Sequence, residues 1–341
     1  MTAGPELARE RILAFRRRAG GLAERRPAAA ASMRHAAWAG LQDSMPRAAL
    51  LSLHARVEGI GPSGWEDPAL VQLWGPRNSA YAVPKQDIAP FTLGRLPDAG
   101  PGRQRADDMA DRLDAFLAGR AMCATDIGLA LGMHPNALRY AAPTGRVLIR
   151  WDGARQPTVR TVAAPGIDPF EARLELARRY LHLFGPATAI AFAKWAGIKP
   201  PRGEAAFEAL QPMLRPVRTP IGNGWILESD EPCFREAAAG GDGQVRLLPS
   251  GDPYFLLWDR DRELLVPDAN HRLLLWTPRV WPGALLLGGD LAGVWRRAGP
   301  VVSVEPWRPL SLGERASVEE EAAAMPLPGV AGRIAVRWGA A

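Results

Sequence analysis

Cysteine and histidine are scarce in this chain of 341 residues, which has two cysteines and five histidines. Cys123 and Cys233 lie far apart and belong to no CxxC or Cys/His pattern, so the sequence supports neither a disulfide framework nor a zinc site. The histidines do not recur at helical spacing. We therefore expect no metal and no cofactor, and any chemistry has to come from other polar side chains.

Long apolar runs are also missing. No stretch approaches the roughly 20 residues that cross a bilayer, and the opening MTAGPELARERILAFRRR lacks the apolar core of a signal peptide. We therefore expect a cytoplasmic protein without a membrane partner. With 47% apolar and 23% charged residues, the composition is typical of a globular protein. The length allows two or three domains of roughly 100–200 residues each.

Lysine is nearly absent, since only Lys85, Lys194 and Lys199 accompany the arginines among 42 basic residues. Against 36 acidic residues these give a formal net charge of +6. The planar guanidinium of arginine suits bidentate contacts with phosphate. The positive excess is compatible with a nucleic-acid partner but does not establish one.

What the chain does contain is a pattern of two short helices and a hairpin, in CATDIGLALGMHPNALRYAAPTGRVLIRWDGARQPTVRTV. Gly132 separates the first helix from a second that Pro135 starts, and residues 147–151 and 158–162 alternate like strands around an Asp-Gly turn signal. This is the order of a winged helix-turn-helix, which lays its second helix along a groove of DNA. The alternative is a small α+β packing unit that serves as a scaffold or protein contact.

Similar units are predicted on either side. From about Gln244 the sequence changes to short apolar strands, a pattern typical of a small β-barrel or a sandwich. The sequence therefore predicts an α+β fold of tandem winged helix-turn-helix units, at 1–100, 101–166 and 167–240, followed by a C-terminal β-barrel-like domain at 241–341. The other predicted elements are helices at 6–18, 32–39, 46–57, 68–74, 84–96, 168–184, 187–196, 203–214 and 314–324, a strand at 78–83 and a hairpin at 219–228.

Four segments, in this order, resemble successive blocks of one family: LQDSMPRAALLSLHARV, DPALVQLWGPRNSAYAVP, ARRYLHLFGPATAIAFAKWAGI and RLLPSGDPYFLLWDRDRELLV. The family is the winged-helix DNA-binding proteins that include the AlkZ-like and YcaQ-like DNA glycosylases. The resemblance implies double-stranded DNA as the partner and monofunctional removal of bulky N7-alkylated purines, with unhooking of interstrand crosslinks in some members. It implies no cofactor.

The family's catalytic signature is a Gln, one intervening residue and a second Gln or an Asp, just ahead of Pro-Arg. Gln42 matches the first position and Pro46-Arg47 the last, whereas Ser44 stands at the second catalytic position and Asp43 between them. The resemblance thus implies a catalytic Gln42 with Ser44 or Asp43 as its partner. The residues alone allow an alternative, in which Ser44 caps the following helix while Gln42 and Asp43 bond the loop backbone.

An N7-alkylated purine is cationic and leaves without being protonated. The site therefore has to hold a water beneath the anomeric carbon and stabilise an oxocarbenium-like sugar. Gln42 and Ser44 could hold such a water by hydrogen bonds. Since neither side chain is a carboxylate base, this pair predicts a slow enzyme. Asp43 would add a base for the water if the loop turned its carboxylate into the site.

DNA contacts are predicted for side chains on the second helix, on the wing and in the family-like blocks. Two of them, Arg150 and Arg155, are expected to contact phosphates without reading sequence. For Asp252 and Arg260 the alternative is a turn aspartate and a surface ion pair. The full set is Arg47, Arg77, Asn136, Arg139, Arg146, Arg150, Arg155, Asp252 and Arg260.

Three classes of function stay open on the sequence alone. The first is a DNA glycosylase, the second a non-catalytic winged-helix DNA-binding protein such as a regulator or lesion binder, and the third a winged-helix scaffold for protein partners. Release of N7-methylguanine from duplex DNA separates the first from the others, and duplex binding at low salt separates the second from the third. In each case we expect a monomer.

Overall fold

The computed structural model of the chain describes residues 4–45, 47–153, 156–236, 244–330 and 334–339. Helices and sheets together form the molecule, which confirms the predicted α+β class. The helices are α1 (Arg9–Ala19), α2 (Ala30–Ala36), α3 (Ala48–His54), α4 (Ile88–Phe91), α5 (Pro101–Leu117), α6 (Ala124–Ala130), α7 (Pro169–Phe184), α8 (Ala189–Ala196), α9 (Pro200–Leu210), α10 (Glu231–Glu236), α11 (Arg260–Leu265), α12 (Ala269–Leu275) and α13 (Leu312–Ala323). The strands are β1 (Leu41–Gln42), β2 (Leu70–Trp74), β3 (Ala80–Pro84), β4 (Met122–Cys123), β5 (Val147–Arg150), β6 (Thr158–Thr161), β7 (Leu214–Thr219), β8 (Gly222–Leu227), β9 (Val245–Leu248), β10 (Gly283–Leu287), β11 (Asp290–Ala298), β12 (Val301–Pro306) and β13 (Ala335–Trp338).

A six-stranded sheet carries strands from two of the predicted units. Its order is β1-β3-β2-β5-β6-β4, and β2 joins β5 where Gln72 lies opposite Ile149. At the β1 edge, Gln42 lies opposite Tyr81. The segment that contains Gln42 and the predicted wing hairpin are therefore parts of one hydrogen-bonded sheet.

The region from 122 to 161 has the predicted order of helix, turn, helix and hairpin. The first helix is α6, the second is a 3₁₀ segment, Pro135–Thr144, and β5 pairs with β6 as the hairpin. An apolar cluster that includes Ile127, Leu138 and Val159 lies beneath them. Arg155, at the tip of the predicted wing, lies outside the described residues.

The predicted helix at 68–74 is wrong, because Leu70–Trp74 is the central strand β2. Four of its five residues are buried, so the apolar positions do not alternate and the period cannot identify a strand. The predicted helix at 84–96 is broken into α4 and two 3₁₀ turns, Lys85–Asp87 and Leu93–Arg95. Pro90 lies within α4 and lacks the amide hydrogen that a longer helix would need.

The third region contains α7, α8 and α9, followed by the hairpin of β7 and β8. The helix predicted at 168–184 is confirmed as α7. Asp168 caps it, since its side chain accepts from the amides of Phe170 and Glu171. The N-terminal helix α1 packs here as well, and the rings of Phe15 and Phe234 are stacked with centroids 3.8 Å apart. Residues from the two ends of the predicted 1–240 range therefore share one apolar cluster.

The C-terminal strands form a five-stranded sheet in the order β13-β12-β11-β10-β9. In the part of the chain that the structure describes, the edge strands β9 and β13 do not pair with each other, so the sheet is open and not a closed barrel. Val318 and Ala322 of α13 pack into the apolar cluster of this sheet, and this helix supplies the cover that barrel closure would otherwise give. The domain boundaries at 100, 166 and 240 remain predictions.

A buried ion pair joins the C-terminal part of the chain to the segment after α3. Asp252 is fully buried, and its oxygens accept from Nη1 and Nη2 of Arg56 at 2.7 and 2.8 Å. The hydroxyl of Ser52 and the amide of Tyr254 complete its shell at 2.7 and 2.9 Å. The predicted DNA contact of Asp252 is therefore wrong, because no face of its carboxylate reaches the surface.

We predict that Asp252→Asn lowers the free energy of unfolding by about 3–5 kcal/mol, because it leaves the buried Arg56 guanidinium without a counter-charge. Asp107→Asn is the control, since Asp107 forms an exposed ion pair with Arg103, and the expected change is within about 1 kcal/mol. Urea unfolding of both variants measures the difference. Equal effects would mean that the buried pair does not hold the fold together.

Candidate functional site

The carboxamide of Gln42 is held at both ends. Its Nε2 donates to Oγ of Ser44 at 3.0 Å, and its Oε1 accepts from Nη2 of Arg77 at 3.4 Å. Ser44 is exposed and Gln42 half-buried, so the amide lies at the surface of a turn that leaves β1. These contacts fix which end of the amide is the acceptor, a choice that an isolated glutamine leaves open.

Arg77 reaches Gln42 from the 3₁₀ turn Pro76–Asn78, which connects β2 to β3. Its own backbone has a left-handed φ of 55°, its Nη1 donates to the carbonyl of Trp195 at 2.8 Å, and its guanidinium lies 4.3 Å from the ring centre of Trp258. The structure thus gives Arg77, predicted as a DNA contact, a role in orienting Gln42.

Gly251 brings the C-terminal part of the chain against the same glutamine. Its φ is +78°, and a Cβ built there would lie 3.3 Å from Cδ of Gln42. A side chain at this position would be strained in its backbone and would crowd the amide. The adjoining Asp252 anchors this turn through its ion pair with Arg56.

Asp43 does not face the site. Its side chain is buried, and its Oδ1 accepts from the amide of Ala49 at 3.0 Å while its Oδ2 accepts from Nε2 of Gln72 at 2.9 Å. Burial raises the pKa of this carboxyl to about 6, against the opposing effects of the Ala49 amide, Arg47 and Gln72. The expectation of Asp43 as a catalytic base is therefore corrected, because the residue is only 1% exposed and both carboxylate oxygens accept hydrogen bonds from within the protein.

The hydrogen bond between Asp43 and the Ala49 amide also corrects the alternative in which Ser44 caps the following helix. Asp43, and not Ser44, caps α3, because its carboxylate satisfies the amide of Ala49 near the helix start. Arg47 precedes the helix in a left-handed conformation, with φ 66°, and makes no capping bond. Pro46, the other half of the Pro-Arg signature, lies outside the described residues.

Gln72 ties the turn to the predicted wing. Its amide pairs with the backbone of Trp151, accepting from the nitrogen at 2.7 Å and donating to the oxygen at 3.1 Å. The same Nε2 also donates to Asp43. Sequence reasoning missed this residue because it lies in a segment predicted as a helix, although a lone polar residue in LVQLW is a signal for a buried hydrogen bond.

Two pockets flank the turn. The first, here called the turn–wing pocket, has a volume of about 280 Å³ and is lined by Ser44, Ser79, Arg139, Trp151 and Gln156 among others. The second, the turn–sheet pocket, has a volume of about 370 Å³, and Met45 is the residue of the turn that lines it. Consecutive residues of one turn therefore face two cavities of ligand size.

The predicted DNA contacts fall into two groups. Arg146 pairs with Asp111 and Asp114 of α5, and Arg150 pairs with Glu66, so their charges are already neutralised. Four of the remaining predicted contacts form no ion pair among the described residues. These are Arg47, which lies over the ring of Trp65, Arg139, which donates to the carbonyl of Asn78, and the exposed Asn136 and Arg260.

The described residues contain no cluster of three or more His, Cys, Asp or Glu side chains that could hold a metal ion. Cys123 and Cys233 are both free thiols. Among the described helices, none combines the length and apolar character needed to cross a membrane.

The pH dependence of stability tests the placement of Asp43. Its pKa is about 6 in the folded chain, against an ordinary value of 3.8, so its contribution to stability is complete below pH 4 and is lost as pH rises through 6. We predict that the stability of the wild type relative to Asp43→Asn falls by on the order of 2–3 kcal/mol between pH 4 and 7.

Urea unfolding across this pH range gives the measurement, with Asp98→Asn as the control. Burial acts to raise the pKa of Asp98, but the guanidinium groups of Arg173 and Arg202 lower it overall. Its contribution is therefore flat between pH 4 and 7. A flat profile for Asp43 as well would show that its carboxylate is solvated.

Comparison with known proteins places this geometry in a family. The family model described as DNA glycosylase AlkZ-like matches residues 35–326. The DNA glycosylase AlkZ of Streptomyces sahachiroi has a similar solved structure, with a TM-score of 0.79 and 17% sequence identity, and the match covers 98% of this chain and 100% of that one. No curated protein matches the sequence. The fold is thus shared with AlkZ, and the chain belongs to the AlkZ-like DNA glycosylase family, as the resemblance of its sequence blocks predicted.

Proposed function

We propose that the protein is a monofunctional DNA glycosylase that removes bulky N7-alkylated purines, crosslinked ones included, from double-stranded DNA by water attack on the glycosidic bond. Family membership supports DNA repair glycosylase activity. The observation that carries the finer proposal is the orientation of the Gln42 amide between Ser44 and Arg77, on a turn between two pockets.

Gln42 and Ser44 would hold the attacking water as a pair of acceptors. An amide oxygen has two lone pairs, and Arg77 uses one of those on Oε1 of Gln42. Oγ of Ser44 accepts from Nε2 of Gln42 and keeps a second lone pair. A water that donates one hydrogen to each oxygen has its own lone pair directed outward, toward the anomeric carbon. As the C–O bond forms, the C–N glycosidic bond breaks, and its electron pair neutralises the cationic purine as the base leaves. One proton of the attacking water passes to bulk solvent.

The arrangement lacks an accessible carboxylate on the turn itself, because Asp43 is buried. The water would therefore lose its proton late, and the oxocarbenium-like sugar would gain no counter-charge from this turn. General-base assistance is worth about 10²–10⁴-fold in rate, so we propose a slow enzyme. The same observation favours the second candidate, a non-catalytic lesion binder.

Duplex DNA would lie against the turn, which the two pockets flank. We propose that residues 101–166 and 167–240 act as winged helices, with residues 1–100 as a third unit. Asn136, Arg139, Arg47 and Arg260 are the proposed DNA contacts, since these exposed or half-exposed side chains form no ion pair among the described residues. One chain supplies the turn and both pockets, which supports a monomer as the active form.

The first test is Gln42→Ala. We predict that release of N7-methylguanine from alkylated duplex DNA falls to the spontaneous rate, because the water loses an acceptor and Ser44 loses its donor, whereas the Kd for duplex DNA changes less than about twofold. Gln211→Ala, at an exposed glutamine, is the control and should release at the wild-type rate. If the wild type also releases no faster than spontaneous depurination while binding duplex, it is a lesion binder.

The second test is Ser44→Asp, which places a carboxylate beside Gln42. We predict a rate increase approaching 10²-fold from general-base assistance. Ser79→Asp provides the control, because Ser79 lines the same turn–wing pocket and has no hydrogen bond to Gln42 among the described contacts. A rate increase confined to Ser44→Asp supports the proposal, and an unchanged rate would place Ser44 outside the reaction.

A further inference from the structure

We propose that a small internal cavity between α1, α2 and the segment after Gly251 is the binding site of one water molecule, which bridges three buried side chains from these parts of the chain. The cavity, here called the inner cavity, is lined by Arg16, His35, Ala39, Arg56 and Tyr254 among others. It is separate from the two pockets that flank the turn of Gln42. The inference does not depend on the proposed function.

Three of the side chains that line the inner cavity carry a buried polar atom without a hydrogen-bond partner among the described residues. The atoms are Nη1 of Arg16, Nε2 of His35 and the hydroxyl oxygen of Tyr254. Arg16 is 2% and Tyr254 6% exposed. Since a buried polar group without a partner is costly, such groups are normally bonded to the protein or to an ordered water.

The other nitrogens of Arg16 are bonded, which makes Nη1 the exception in this side chain. Nε donates to the carbonyl of Gly185 at 3.1 Å, and Nη2 donates to the carbonyl of Phe184 and to Oδ1 of Asp261 at 3.2 Å. The two hydrogens on Nη1 therefore remain to be accepted. Because a guanidinium donates and never accepts, the ligand in the cavity has to be a hydrogen-bond acceptor.

The volume of the inner cavity limits its ligand to a very small molecule. This volume is about 20 Å³, and about 10–15 Å³ on the same measure is sufficient for one water. A buried water typically makes about three hydrogen bonds, which equals the number of unpartnered atoms. These atoms do not bond one another, so a molecule that reaches all three has to lie between them.

The charges around the inner cavity favour a neutral ligand. Each of the two guanidinium groups that line it has a carboxylate partner, since Arg16 pairs with Asp261 and Arg56 with Asp252. An anion in the cavity would therefore add a charge that no unpaired guanidinium in its lining offsets. Water brings no charge and avoids this cost.

The imidazole of His35 is also suited to water. Burial, followed by the charge of Arg26, lowers the pKa of His35 from its ordinary value of 6.5, so the ring is neutral at pH 7. A neutral imidazole has one N–H and one acceptor nitrogen, and the hydroxyl of Tyr254 can donate or accept. Water has two hydrogens and two lone pairs, so it can bond Nε2 of His35 in either tautomer.

The position of the inner cavity connects it to the segments that meet at Gln42. Ala39 lines it shortly before Gln42 in the chain, and Tyr254 lines it shortly after Gly251, which lies against the Gln42 amide. A water bonded to both His35 and Tyr254 links these two segments by hydrogen bonds. It would thus support the same packing as the buried ion pair of the C-terminal part.

The direct test is a crystal structure of the full-length chain at a resolution that shows ordered water. We expect one density peak within about 3.2 Å of Nη1 of Arg16, Nε2 of His35 and the hydroxyl of Tyr254. A cavity without density would overturn the assignment. A peak that becomes bromide in crystals grown in bromide would also overturn it, because the ligand would then be an anion.

In solution, the bridge is tested by a double-mutant cycle between Tyr254→Phe and His35→Phe, with the equilibrium constant of folding measured by urea unfolding. If one water bonds both side chains, the loss of the first partner weakens the bond to the second. We therefore expect the double variant to fold with a constant about fivefold larger than the two single effects predict together. Additive effects would refute the bridge.

The cycle also separates the water from a direct contact of Tyr254 with Arg17. Burial raises the pKa of Tyr254 and the nearby Arg17 lowers it, but a bond between these two side chains would leave His35 uncoupled. Tyr140→Phe is the control, because Tyr140 is 46% exposed and lies outside the lining of the inner cavity. Its effect should be additive with that of His35→Phe.

A variant that fills the inner cavity gives a second measurement. Ala39→Val enlarges a side chain of the wall and should displace the water, whereas Ala205→Val, at an exposed alanine of α9, should not. Oxygen-17 relaxation dispersion of the solvent counts long-lived internal waters, and we expect one fewer in Ala39→Val alone. Equal counts in the wild type and both variants would contradict the assignment. Base release enters none of these measurements, so their outcome is independent of the glycosylase proposal.

Discussion

The ion pair of Arg56 and Asp252 is the interaction on which the site most depends. Removing two charges from water costs desolvation free energy. Their attraction offsets this cost only where the two groups are well aligned and every remaining lone pair accepts a hydrogen bond. Here the pair is bidentate, and Ser52 and the Tyr254 amide satisfy the carboxylate further. The pair holds the C-terminal turn against α3, and Gly251 therefore lies on Gln42. The segments of Gln42 and Gly251, about two hundred residues apart in sequence, are thus held in van der Waals contact.

Three residues near the same turn have strained backbones. Arg47, Arg77 and Asn78 have left-handed φ angles of 66°, 55° and 58°. The other non-glycine residues with positive φ among those described are Ala118, at the end of α5, and Asp259, with 46° and 50°. Such conformations cost free energy for residues with side chains and persist where surrounding contacts determine them. The contacts are present for Arg77, whose side chain bonds the Trp195 carbonyl and lies over Trp258. The strain accompanies the placement of Gln42 and is consistent with a functional turn.

Much of the fold could be predicted where local chemistry decides the structure. The cap at Asp168 and the helix it starts follow from one side chain and its two neighbouring amides, and the hairpin of β5 and β6 follows from alternation around a turn signal. The strand Leu70–Trp74 could not be recognised, because burial on both of its faces removes the alternation of apolar and polar residues that identifies a strand. The open C-terminal sheet could not be predicted either, because a pattern of short apolar strands does not say which strands lie at the edges or that α13 packs on the sheet.

The site was predictable in part. The segment containing Gln42 and Ser44 could be identified from the order of family-like blocks, but the direction of each side chain could not. Asp43 and Ser44 are both good capping residues, and the choice between them depends on Gln72, whose amide completes the shell of the buried carboxylate. Asp252 and Arg77 were predicted as DNA contacts, because a charged residue in a family-like block can either contact DNA or bond another residue of the protein. Their partners, Arg56 and Gln42, become neighbours only through tertiary packing.

The hydrogen bonds of Gln72 have a mechanical consequence. One amide nitrogen is shared between the carboxylate of Asp43 and the carbonyl of Trp151, so the two acceptors cannot move apart without lengthening one of these bonds. A displacement of the hairpin therefore also strains the turn that bears Gln42 and Ser44, and a contact that holds the hairpin in place also holds that turn in place. In the proposed function, DNA binding at the hairpin and alignment of the attacking water would therefore be coupled through Nε2 of Gln72.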